Sequence, residues 1–308
     1  MNKKSVRIYI FGGLGNQLFQ YSLATHLNKT YFVQVDTSQI NSREQDLKKL
    51  LYFPTLSHVS TARNRLIKRN FNLLIRASSI RKRNVLINLV TTLSAAAHSV
   101  HLYFETGKFY RPYIANGLND FQVSVNENKN YFVIGYFQTY HFHDYDSISL
   151  NLGNETESVK RFRLLYAPDK DIVIHIRIGD YLRETKFGVL SSDYYESSIE
   201  YLQKLGFTGN IFLFTEDFNI AKEYLPITVE KNFKYIGIPS DIETLYALAC
   251  AKALVMSNST FCWWAAKLSI YKISDQFVIC PSPWFKRIPM VGEFLPEHWI
   301  KNKAVFLE

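Results

Sequence analysis

Between Asp46 and Glu105 the chain has no aspartate and no glutamate. The same window holds Lys48, Lys49, Arg63, Arg65, Lys68, Arg69, Arg76, Arg81, Lys82 and Arg83, more positive charge than the +9 net of the whole chain. A local imbalance this strong points to a polyanion, either nucleic acid or an anionic membrane. Cysteine is scarce. Cys250, Cys262 and Cys280 show no metal-ligand spacing and sit in apolar contexts, which excludes a disulfide scaffold and fits buried thiols in a reducing compartment. There is no GxxxxGK[ST] loop, which excludes a P-loop NTPase. The first basic residues precede only Ile8 to Phe11, too short for the apolar core of a signal peptide. Residues 84–104 lack every charged side chain. Asn84, Asn88, Thr91, Thr92, Ser94, His98, Ser99 and His101 make that stretch too polar for a membrane span, so it is expected to be a buried helix.

What is present describes an α/β protein. A length of 308 residues suits two domains, each able to bury its own core. Val6 to Phe11 reads as a buried strand, followed by the turn Gly12-Gly13-Leu14-Gly15-Asn16 and a helical pattern of Leu18, Tyr21, Leu23, Ala24 and Leu27. The turn is a partial dinucleotide fingerprint with Leu18 in place of the third glycine, which argues against a dehydrogenase. Its glycines let a ligand approach the backbone, and Asn16 is placed to donate. Tyr31 to Val35 gives a second strand. Thr61 to Ile80 has a helical pattern, with Ile67, Phe71 and Leu74 on one face flanked by cations. That pattern fits a helix lying on a membrane, or a core-packed helix with a solvated basic face. Tyr131 to Tyr136 is a further strand. His141, His143, Asp144 and Asp146 resemble metal ligands but lack a partner cluster elsewhere, so a polar interdomain segment is preferred.

The second half alternates strand and helix: strands at Ile172–Ile176, Ile211–Phe214, Phe233–Ile238, Ala253–Met256 and Phe277–Ile279, with helices between, the first capped by Asp193. Repeated βα units imply a parallel sheet covered on both faces. Three polar clusters follow strands and so share one sheet edge: His175, Arg177 and Asp180; Thr215, Glu216 and Asp217; Ser257, Asn258, Ser259 and Thr260. The last cluster opens a helix, whose free N–H groups favour an anion. Arg177 with that terminus makes a diphosphate site, because a guanidinium donates two parallel hydrogen bonds. The acidic residues would receive donors from a base or ribose, and Glu243 is placed to accept from guanine. The bland alternative for Arg177 is a local pair with Asp180 in a solvated turn.

These segments also carry a resemblance. Residues 12–24, the mid-chain Gly135-Tyr136-Phe137-Gln138, His175-Ile176-Arg177-Ile178-Gly179-Asp180-Tyr181, Ser257 to Leu268 and Cys280 to Phe285 resemble, in order, the motifs of the bacterial α-1,2-fucosyltransferase family. The resemblance implies a B-type glycosyltransferase fold, α/β with two Rossmann-like domains facing a cleft. Residues 1–154 would form the acceptor-side domain and 155–308 the donor-binding domain. It implies inverting transfer of L-fucose from GDP-fucose to a galactose hydroxyl of a glycan in α-1,2 linkage, in surface polysaccharide (O-antigen) synthesis, without metal or other cofactor. Arg177 matches the phosphate-binding arginine, Asn16 the asparagine of the glycine turn flanked by Gly13 and Gly15, and His175 a residue near the nucleotide. Ser259 and Thr260, beside Asn258, match hydroxyls at the phosphate or ribose. Asp180 and Glu184 are the candidate general bases, Asp180 also a candidate to orient Arg177. The family's second arginine is Ile178 here. Strand alternation points that position away from Arg177; otherwise its loss means weaker donor binding or a changed donor sugar. The expected partners are a GDP-sugar, a glycan acceptor that is lipid-linked if the membrane reading holds, and an anionic membrane surface reached through the basic 48–83 window, with no nucleic acid. The expected location is the inner face of the cytoplasmic membrane. The competing functions are a transferase with another donor, one that holds a metal at Asp144 and Asp146, and a non-catalytic nucleotide or polyanion binder.

Overall fold

The computed structural model describes residues 3–40, 56–59, 65–118, 120, 123, 125–126, 128–140, 156–222, 233–235, 237, 240–290 and 294–307. The chain separates into two compact units, Met1–Ser149 with Val291–Phe294, and Leu150–Met290 with Leu295–Glu308. The expected boundary at 154 lies outside the described residues, as do His141 to Asp146, Lys48, Lys49 and Arg63.

The first unit holds a five-stranded parallel sheet of β1 (Ser5–Tyr9), β2 (Phe32–Asp36), β3 (Ser57–Val59), β4 (Tyr110–Ile114) and β5 (Asn130–Ile134), in the order β3-β2-β1-β5-β4. Its helices are α1 (Leu14–Asn28), α2 (Arg65–Ser78) and α3 (Val85–Thr106). Strand β1 is buried along its whole length, Ser5 and Arg7 included, and the buried Arg7 guanidinium pairs with Asp36 and Glu105. Strand β4 escapes the sequence pattern because it lies at the sheet edge, where Pro112 is tolerated.

Two expectations for this unit are corrected. Phe71 and Leu74 of α2 do not face a membrane; both are fully buried in a core cluster with Tyr9, Phe11, Ala95 and Phe132. Helix α2 is thus a core-packed helix whose Lys68, Arg69 and Arg76 are solvated. Helix α3, in turn, is not buried. Its polar residues Thr91, Ser94, His98 and Ser99 face inward, and much of its apolar surface is exposed.

The second unit holds a six-stranded parallel sheet of β6 (Ile172–Ile176), β7 (Ile211–Thr215), β8 (Phe233–Tyr235), β9 (Ala253–Val255), β10 (Phe277–Ser282) and β11 (Ile300–Lys303). The order is β11-β10-β9-β6-β7-β8. Chain direction across the sheet therefore reverses between β6 and β9, the doubly wound arrangement whose ligands bind at that switch point. Its helices are α4 (Glu157–Leu165), α5 (Ser192–Lys204), α6 (Phe218–Ala221), α7 (Asp241–Ala249) and α8 (Thr260–Lys267). Helix α5 starts after Ser191, and Asp193 lies in its first turn rather than at the cap. Strand β11 is an edge strand carrying Lys301 and Lys303, so no apolar run announces it.

Alternation along β6 decides the site. Ile172, Ile174, Ile176 and Ile178 all enter a core cluster with Tyr194, Ile199 and Leu202 of α5. His175 takes the opposite face, its ring 5.7 Å from that of Phe261 on α8.

Candidate functional site

The carboxyl edge of β6 carries a polar network that ties it to the segment after β9. His175 Nδ1 lies 2.7 Å from Ser257 Oγ, which bridges β6 to the segment after β9. The Tyr181 hydroxyl donates to the Asn258 carbonyl at 3.1 Å, a second bridge across the switch point. Asn258 is fully buried, and its amide donates to the carbonyls of Phe187 and Gly188 at 3.2 and 2.9 Å. The Asn258 Oδ1 acceptor is left buried with no partner among the described residues. A buried acceptor without a donor is costly unless something supplies one.

Arg177 leaves the end of β6 toward solvent. Its Nε and Nη2 reach Asp180 Oδ1 at 3.1 and 2.9 Å, while Nη1 pairs with Glu216 after β7. The guanidinium also lies 5.7 Å from the centre of the Tyr181 ring. A Cβ on Gly179 would strike the Glu216 carboxylate, so the glycine makes room for that pair. Arg177 is thus aimed by two carboxylates, both partly exposed, with about a quarter of its own side chain open to solvent.

The other residues expected in this unit have distinct local surroundings. Asp180 and Glu216 are engaged by Arg177. Asp217 caps α6, accepting from the N–H groups of Asn219 and Ile220, which occupies its Oδ1 atom. Ser259 is the buried residue that opens α8 and makes no side-chain cap, and Thr260 is the first helical residue. Glu184 is exposed just past the short helical turn Gly179–Leu182 that follows β6. Glu243 sits in the first turn of α7, which packs on α8; its N–H donates to Ser240 Oγ at 3.3 Å, and its Oε2 is buried without a partner among the described residues.

Burial strips the charge from His175. Removal from water, helped by the nearby Arg177 cation, lowers its pKa to about 3. His98, in the first unit, is held at about 4 by burial, His101 and Arg7. His175 is therefore a neutral hydrogen-bonding partner rather than a cation for an anion. The same shifts tie stability to pH. Unfolded imidazoles protonate near 6.5 and the folded ones only near 3 to 4, so in that window the unfolded chain binds more protons. Stability is complete above about pH 6.5 and falls as the pH drops, with a slope approaching about 1.4 kcal/mol per pH unit for each histidine. Denaturant melts between pH 7 and pH 5 are expected to show this loss, and His175→Gln should remove about half of it, leaving the part due to His98. A midpoint that does not move over that range would show that the folded imidazoles take up protons freely.

In the first unit, the glycine turn meets the end of β5. Gly12 needs its freedom, at φ +79°, while the space around Gly13 is open to an approaching group. Gly15 is buried in the first turn of α1. Asn16 Oδ1 accepts from Gln138 Nε2 at 3.0 Å. Gln20 accepts from the Phe11 N–H and donates to the Gly135 carbonyl, at 2.9 and 3.1 Å. The Gly-Tyr-Phe-Gln segment owes its composition to this meeting. A Cβ on Gly135 would overlap Ala115 and the Phe137 ring, and Phe137 itself has φ +52°. Gln138, Gln20 and Tyr181 are not among the expected site residues; each lies inside a segment that carries the resemblance, but its bonding role depends on a partner far away in sequence.

Two doubly wound parallel sheets, the second with an arginine and a helix N-terminus at its switch point, have the architecture of B-type glycosyltransferases, and the chain is a glycosyltransferase. It belongs to glycosyl transferase family 11, which it matches over residues 5–283. It is 26% identical to the O-antigen biosynthesis glycosyltransferase WbnK of Escherichia coli over 305 residues, covering 89% of this chain and 93% of that protein. It is 28% identical over 137 residues to an alpha-1,2-colitosyltransferase of Escherichia coli, covering 42% of this chain and 47% of that protein. The solved structure of the glycosyl transferase family 9 protein from Veillonella parvula shares the fold at a TM-score of 0.50 and 12% identity, covering 100% of this chain and 89% of that chain.

Proposed function

We propose that the chain transfers L-fucose from GDP-fucose to a galactose hydroxyl of a glycan acceptor, with inversion, in α-1,2 linkage and without a metal, during O-antigen synthesis. The observation that carries this reading is Arg177, aimed by Asp180 and Glu216 at the edge of the β6/β9 switch point. Membership of family 11 supports sugar transfer, and the two named relatives support the polysaccharide setting and the linkage.

In this mechanism an acceptor hydroxyl attacks C1 of the sugar while GDP departs. Negative charge grows on the leaving phosphate and needs donors already in position. Arg177 and the N–H groups at the start of α8 supply them. The diphosphate takes the Nη1 edge of Arg177 from Glu216, while Asp180 keeps holding the other edge. The unpartnered Glu243 Oε2 is suited to the N1–H and N2–H₂ donors of guanine. Because Asp180 is engaged by Arg177, the general-base role is assigned to Glu184. Asn16, with Gly13 and Gly15, is assigned to the donor on the family resemblance. A different donor sugar is the second reading, favoured by the similarity to a colitosyltransferase.

Thermal shift separates these readings, since a ligand that binds the folded chain adds about 2.7 kcal/mol of stability at 100 times Kd and so raises the melting point. GDP is expected to raise Tm, with UDP, CMP and NAD nearly silent. Transfer from GDP-fucose should persist in excess EDTA. A response to UDP alone would discard the guanine assignment, and turnover only from GDP-colitose would move the reaction to the second donor.

A further inference from the structure

Helix α3 is inside out. The side chains it buries are Thr91, Ser94, Ala95, His98, Ser99 and Leu102. His98 Nε2 lies 2.8 Å from the buried Tyr9 hydroxyl, and Glu105 at the helix end pairs with the buried Arg7 at 3.3 Å. The opposite face is apolar and open, with Leu86 67%, Leu89 56%, Leu93 63%, Val100 50% and Phe104 81% exposed. A 3.6-residue period sets these five on one stripe, turned away from the buried set. An exposed apolar face of this length marks an interaction surface.

Charge says what covers it. The stripe itself has no Asp, Glu, Lys or Arg, so it suits hydrocarbon. Exposed Arg81 and Lys82 stand immediately before the helix. Helix α2 packs against α3 and exposes Lys68, Arg69 and Arg76. No acidic residue interrupts the chain from 47 to 104. A second copy of the chain would bring two such basic blocks together, which like-charge repulsion opposes. An anionic lipid surface offers both hydrocarbon for the stripe and phosphates for the cations. The helix is long and apolar enough to cross a membrane, with an 18-residue window of mean hydropathy 1.4. Its inward face, however, is bonded into the core of the first unit, so it lies along the surface.

We propose that α3 is an interfacial helix that seats its Leu86-to-Phe104 stripe in the headgroup boundary of an anionic bilayer, with Arg81, Lys82 and the α2 cations on lipid phosphates. This moves the apolar contact from α2, where the sequence pattern suggested it, to α3. It does not depend on which sugar is transferred.

Flotation with vesicles tests it. Wild-type protein is expected to float with mixed phosphatidylglycerol and phosphatidylcholine vesicles and hardly at all with phosphatidylcholine alone. Leu86→Gln, Leu89→Gln and Leu93→Gln combined should cut partitioning at least about tenfold, since glutamine keeps the helix but not the apolar surface. Arg81→Gln with Lys82→Gln should cut it roughly thirtyfold at low salt. All five side chains are exposed, so melting temperatures should match the wild type; Phe104→Ser alone serves if the triple variant does not fold. Absence of wild-type binding to anionic vesicles, or binding that ignores both sets of changes, would overturn the proposal. So would a wild-type dimer in solution that the triple variant dissociates and that stays off vesicles, because the stripe would then belong to a second copy.

Discussion

Arg177→Ala is expected to lower kcat for sugar transfer by a factor on the order of 100 to 1,000, the usual cost of removing one preorganised donor from a developing oxyanion. GDP affinity should fall as well, because the same guanidinium holds the diphosphate before and during departure. The fold should survive. Arg177 is a partly exposed side chain at a strand end, and its two carboxylate partners, Asp180 and Glu216, are partly exposed and can take water in its place. Arg177→Lys should recover little. An ammonium cannot contact Asp180 along one edge and present a second edge to phosphate. Steady-state kinetics with GDP-fucose, calorimetric titration of GDP and a thermal melt together check this. Wild-type turnover in a folded Arg177→Ala protein would remove the diphosphate from this edge of the sheet.

Ile178→Arg is expected to destabilise the second unit by about 3 to 5 kcal/mol, the cost of an unpaired charge in a core. Placing an arginine there, as the family resemblance suggests, would look like a route to tighter donor binding. The structure points the other way. Ile178 is 2% exposed and packs with Ile174, Ile176, Val189 and Leu190, on the sheet face opposite His175. A guanidinium there would lie among aliphatic side chains with no acid beside it in the cluster. For a unit of this size the melting temperature should drop by on the order of 10 °C. A variant that melts like the wild type and binds GDP more tightly would mean that position 178 swings out to the ligand.

Strand β6 shows how much of this architecture is legible in the chain. A buried run ending abruptly in Arg177-Ile178-Gly179-Asp180 announces both the strand and a polar edge, and the repeated βα units announce a parallel sheet. Strand order is not a local property, so the adjacency of β6 and β9, which makes the site, had to come from the structure. The edge strands β4 and β11 were missed because their exposed positions relax the apolar pattern and admit Pro112, Lys301 and Lys303. Helix α3 misled for a related reason. Periodicity separates two faces of a helix but does not say which one is covered, and the usual assumption that the apolar face turns inward fails there. The ion pair between Arg177 and Glu216 was also out of reach, since it depends on the β6–β7 pairing.

The bond between His175 and Ser257 joins residues 82 positions apart, and the one between Tyr181 and Asn258 spans 77. Closing so long an intervening loop is an entropic cost that must be met before either bond can form. While the chain is being made, β6 and its arginine emerge well before the segment that completes their surroundings. The switch point is consequently assembled late, by docking of one βαβ half on the other. A ligand seated against both halves acts as a clasp, since it binds only the docked arrangement and stabilises it by mass action. Amide protons on β6 and β9 would then gain protection from exchange together on ligand addition, as one cooperative unit.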